Sequence, residues 1–63
     1  MNRMEQIRIK KGYTRREISV LTSISEYNIY KIERKGQVVK VDNALAIAKV
    51  LGTSVEEIFG SNE

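Results

Sequence analysis

Glu26, Tyr27, Asn28, Tyr30, Lys31 and Arg34 fall close together in the chain and combine hydrogen-bonding tips with long cationic arms. If Ile29 and Ile32 form the apolar side of a helix, these six residues take its remaining positions. Such a face suits the edges of base pairs in the major groove of DNA. The same composition would also serve as an ordinary solvated helix surface.

Catalytic chemistry has far less to work with. The sequence contains neither cysteine nor histidine. That removes disulfides, zinc sites built on thiolate or imidazole, and thiol or Ser–His nucleophiles. Glu56 and Glu57 are adjacent on an expected helix, so their carboxylates diverge instead of sharing a substrate. No enzyme activity, cofactor or metal is expected.

The elements that must position the helix face are short. At 63 residues the chain is read as one domain over residues 1–60, with 61–63 a fraying tail. Hydrophobic residues make up 41% and charged residues 30%, the balance of a globular protein. No apolar run approaches the roughly 18 residues of a membrane span. MNRMEQIRIKKG is charged, without the apolar stretch of a signal peptide. The lack of cysteine fits the cytoplasm.

Helix punctuation divides the chain into an all-α array of five helices. Met1, Met4 and Ile7 recur at helical spacing, predicting a helix over 2–11 that stops at Gly12. Thr14 and Glu17 form a capping box for a second helix, from Arg15 to about Thr22, that buries Ile18 and Leu21. Ser23 and Ile24 make a tight turn, and Ser25 caps a third helix running to about Arg34. Residues 35–40 read as a loop in which Val38 and Val39 could be extended. Val41, Ala44, Leu45, Ala48 and Leu51 predict a fourth helix ending at Gly52. Ser54 and Glu57 form a second capping box for a last helix, closed by Gly60, with Val55, Ile58 and Phe59 on its apolar face.

Charge is distributed unevenly along this array. Arg3, Arg8, Lys10, Lys11, Arg15 and Arg16 in the first sixteen residues face only Glu5, whereas Lys49 in the last third faces Asp42, Glu56, Glu57 and Glu63. The formal net charge is +3, and a polyanion would meet the N-terminal part.

The stretch IRIKKGYTRREISVLTSISEYNIYKIERKG resembles the helix-turn-helix of the phage repressor and Cro (XRE-type) family. Ile7, Arg8, Gly12, Tyr13, Thr14, Glu17, Ile18, Thr22, Ile24, Ser25, Ile29, Ile32 and Glu33 fit its pattern in order and without a gap. Downstream, LAIAKVLGTSVEEIF is similar to the family's fourth and fifth helices. The resemblance implies a compact five-helix bundle of the lambda-repressor-like type that binds double-stranded DNA. The implied role is that of a repressor-type transcriptional regulator.

Several residue roles follow from the same resemblance. Arg8 and Glu33 would form a structural ion pair, which agrees with Arg8 lying on an apolar stripe where an unpaired charge is costly. Arg15, at the start of the second helix, would bond a DNA phosphate; Ser25 and Asn28 would contact the backbone or cap. Glu26, Tyr27 and Lys31 would read bases, with Arg34 and Lys35 approaching phosphates. Glu26 could accept from a cytosine amino group or simply stabilise its helix N-terminus. Tyr13 is expected in the core, and Tyr27 is the tyrosine favoured for DNA.

Departures from the family pattern fall at Ser19 (usually alanine), at Ser23 (usually glycine), and at Lys35-Gly36, which shifts the glycine after the third helix by one. The proline common before the fourth helix is missing near Val38-Val39.

One such helix reads only a few base pairs, so a homodimer on a pseudo-palindromic operator is expected. Val38, Val39, Val55, Ile58 and Phe59 are the candidates for its interface. The competing reading is an antitoxin-like or adaptor module that binds a protein partner.

Overall fold

The computed structural model describes residues 1–60, so the expected fraying of 61–63 lies outside the described residues. Among the described residues the elements are α1 (Arg3–Lys11), α2 (Arg15–Thr22), α3 (Glu26–Arg34), α4 (Val41–Leu51) and α5 (Val55–Phe59), with no strand. Residues 36–40 carry no regular structure.

Local capping sets most of these boundaries. Asn2 is the N-cap of α1 rather than its first residue: its side-chain oxygen accepts from Glu5 N at 2.9 Å. Its amide also donates to Ile32 O at 3.0 Å, tying the start of α1 to the end of α3. Both capping boxes form, Thr14 with Glu17 and Ser54 with Glu57. The turn between α2 and α3 passes through Ser23 at φ 63°, the left-handed region that glycine adopts without strain. Ser23 nevertheless closes α2 with its N–H on Ser19 O at 2.8 Å, so the tight turn survives the loss of glycine.

Met4, Ile18, Ile29, Ile47 and Leu51 are fully buried, joined by Ile24, Ile32, Ala48 and Ile58. Tyr13, with Ile7, Val39, Val50, Val55 and Phe59, packs around them. α3 rests on α2 and α1, and α4 braces α2 from behind. No helix among the described residues is long and apolar enough to cross a membrane.

Three expectations about the core are corrected. Leu21 is 57% exposed: the buried side of α2 runs through Ile18 and the half-buried Thr22, whose hydroxyl donates to Ile18 O at 2.7 Å. On α4, Val41 and Leu45 face outward while Ile47, not anticipated on the stripe, is completely buried. Ile58, expected at an intermolecular contact, is only 4% exposed because α5 folds it down into the core.

Candidate nucleic-acid interface

α3 is anchored by its inner side. Ile29 and Ile32 are buried, as is Glu33, and Ser25 caps the helix by accepting from Asn28 N at 3.1 Å. A sequence with this apolar spacing and a strong N-cap must leave the opposite side of the helix outside. Ser25, Glu26, Tyr27, Asn28, Arg34 and Lys35 are all exposed, and Lys31 is half-buried.

The outer face is ordered by its own side chains. Tyr27 and Tyr30 stack with ring centroids 6.2 Å apart. Lys31 Nζ sits 5.0 Å from the centroid of Tyr27, and the Arg15 guanidinium 5.4 Å from that of Tyr30. Lys31, Tyr27, Tyr30 and Arg15 therefore form one continuous row across α3 onto α2. Tyr27 is the exposed ring, at 66%, whereas Tyr30 is half-buried.

Beneath this face lies a charge network of Glu5, Arg8, Arg15, Glu33 and Arg34. Arg8 Nε donates to Glu33 Oε2 at 2.7 Å and its Nη2 to Glu33 Oε1 at 3.2 Å, while Nη1 donates to Tyr13 O at 2.8 Å. Arg15 and Arg34, the expected phosphate ligands at the two edges of the face, are not free arms. Arg15 Nε donates to Glu33 Oε1 at 2.8 Å and Nη2 to Glu5 Oε2 at 3.2 Å. Arg34 forks onto Glu5, with Nε on Oε1 and Nη2 on Oε2, both at 2.8 Å.

Glu5 and Asn2 are the residues that sequence reasoning missed. A signal for Glu5 existed: it stands one helical turn before Arg8, whose side of α1 the apolar stripe turns inward.

The Arg34 bond and the positive field of Arg34, Arg15 and Arg8 hold the Glu5 carboxyl below its ordinary value of 4.5, although burial pushes the other way. A depressed folded-state pKa gives stability that is present above about 4.5 and lost as pH falls through the lower folded value. Glu5→Gln removes this dependence. The gap in melting temperature between wild type and variant is therefore expected to be widest near neutrality and to close below pH 4.5. Thermal melts at descending pH check this; a gap that stays constant refutes it.

Past the end of α3, a groove of about 580 Å³ opens between the 37–41 segment, α4 and α5, lined by Val38, Val39, Val41, Leu45, Val55 and Phe59 among others. Val38, Val41 and Leu45 are its most exposed apolar members. Among the described residues no cluster of potential ligands could hold a metal ion.

The sequence pattern of the helix-turn-helix family matches residues 4–58, nearly the whole described chain. No curated protein matches it.

Proposed function

From the premise that the chain belongs to the helix-turn-helix family, of phage repressor and Cro (XRE) type, and so is a DNA-binding domain of the transcription-regulator kind, we propose that it is a repressor that sets α3 into the major groove as a homodimer. The observation that carries this reading is the outer face of α3. Glu26 and Tyr27 at the start of α3 and Lys31 in its last turn are presented together, on a helix held from behind by Ile29, Ile32 and Glu33.

Lys31 and Tyr27 supply base preference: an ammonium donates to guanine O6 and N7, and an aromatic edge suits the thymine methyl. Lys35 is exposed at the C-cap of α3, outside the network of Glu5 and Glu33; with Arg15 and Arg34 it supplies phosphate affinity. Two copies would place their α3 helices about 34 Å apart in successive turns of the groove. The apolar groove beside α4 and α5 takes none of its lining from α3, which fits a homodimer contact there.

Selection of bound duplexes from a random pool tests the proposal, with enrichment of a two-fold-related pair of half-sites as the expected result. An adaptor that binds only protein would enrich no sequence. On the selected site, Lys31→Ala should change the preferred base at one position per half-site by about 1–3 kcal/mol. Lys35→Ala should instead weaken binding to every duplex and reduce the salt slope by about 0.9 for each phosphate left without its cation. Equal losses with no change of preference would overturn this division of labour.

A further inference from the structure

Arg15 and Arg34 come from different helices, yet each commits the same edge of its guanidinium, Nε with Nη2, to carboxylates beneath it. Arg15 divides that edge between Glu33 and Glu5; Arg34 gives all of it to Glu5. The other edge of each group, Nη1 with Nη2, keeps donors to spare. Arg8 differs, since its Nη1 is taken by Tyr13 O and its side chain is buried.

Glu5 is the hub of this arrangement. Its side chain is 3% exposed, whereas those of Arg15 and Arg34 are 29% and 51% exposed, so the carboxylate lies below and the guanidiniums reach outward. An arginine on a surface ordinarily loses much rotamer freedom when it takes a phosphate. One already forked onto a buried carboxylate has lost that freedom on folding.

We propose that Glu5 is a positioning residue of the DNA interface, which grips Arg15 and Arg34 by their inner edges so that their outer edges are preset to receive backbone phosphates. The inference rests on the DNA-binding reading above and adds to it a residue of α1 that touches no DNA. Planar, two-pronged donors match phosphate oxygens best when their plane is fixed, and Glu5 fixes two of them at once.

The experiment compares wild type, Glu5→Gln, Arg34→Ala and the double variant on a duplex selected by the wild-type chain, across a salt series. Glu5→Gln is expected to weaken binding roughly tenfold through the loss of two preset side chains. The salt slope should stay within about one ion of wild type, because both arginines still reach phosphates. The double variant should lose less than the product of the two single losses, since Glu5 acts through Arg34. Glu5→Gln lowers the melting temperature in either case, so the coupling in affinity decides: a merely structural role would leave it at zero.

If Glu5→Gln fails to fold, Arg34→Lys replaces it: the charge and slope remain while the fork is lost, and affinity is expected to fall similarly. Unchanged affinity in a folded Glu5→Gln overturns the proposal. Tighter binding with a steeper slope overturns it as well, by making Glu5 a competitor of phosphate. A wild-type chain that enriches and binds no duplex overturns the DNA reading first, and this one with it.

Discussion

Glu33→Ala is expected to cost the domain about 3–5 kcal/mol and to leave much of it unfolded at 37 °C. The carboxylate removed is buried and takes three arginine hydrogen bonds, two from Arg8 and one from Arg15. Arg15 is partly exposed and can turn to water, but the Arg8 side chain is only 9% exposed and would keep a charge whose one remaining hydrogen bond is to Tyr13 O, with the Glu5 carboxylate, already shared by Arg15 and Arg34, 3.9 Å away. A domain this small has on the order of 3–9 kcal/mol in total, at about 0.05–0.15 kcal/mol per residue.

The expected fall in melting temperature exceeds about 12 °C, at roughly 4 °C or more per kcal/mol. Changing both partners, as Arg8→Met with Glu33→Leu, should cost far less than the two single changes together, because it leaves no orphaned buried charge beside Tyr13. Melts of wild type, Glu33→Ala, the two single changes Arg8→Met and Glu33→Leu, and their double decide the matter, and a Glu33→Ala loss below about 1 kcal/mol would refute it.

The parts of this architecture that are legible in the sequence are those fixed by local chemistry. A capping box closes between residues three apart, so Thr14 with Glu17 and Ser54 with Glu57 can be read without knowing the fold. The Ile29–Ile32 spacing similarly determines which side of α3 turns inward.

Sequence misleads where neighbouring helices choose among several apolar residues. On α4, apolar residues cover more than half the helix surface, so a stripe through Val41, Ala44, Leu45, Ala48 and Leu51 looks as good as one through Ile47. Packing of α4 against α2 selects the second and leaves Val41 and Leu45 outside. Leu21 misleads in the same way, with Thr22 taking the inner position on α2.

Glu5 shows in the sequence only as a neighbour of Arg8, and its link to the DNA-facing arginines is illegible for a different reason. Its hydrogen-bond partners lie 10 and 29 positions away, and nothing local ranks Arg15 or Arg34 above the other cations. From sequence, Arg15 and Arg34 accordingly read as free arms. The fold instead commits the inner edge of Arg34 to the carboxylate that α1 brings beneath α3, and divides that of Arg15 between it and Glu33.

The outward-facing residues of α4 carry the second large prediction. Val41 is 76% and Leu45 57% exposed, one turn apart on the rim of the groove that also holds Val38 and Phe59. Two-fold symmetry doubles whatever this patch contributes, since each copy presents the same residues to the other. Val41→Asp with Leu45→Asp therefore sets four carboxylates into the proposed contact while changing only side chains that are more than half exposed in the monomer and lie outside its core.

The variant should melt close to wild type yet run as a monomer in sedimentation. Its affinity for a two-half-site operator should fall about 10²–10⁴-fold, the advantage that linked binding gives a dimer, while its affinity for an isolated half-site is kept. Ile58→Asp is the contrasting change: Ile58 lies in the core, so that variant should lose the fold itself. A folded double variant that still binds as a dimer would move the contact away from α4 and leave the groove without this role.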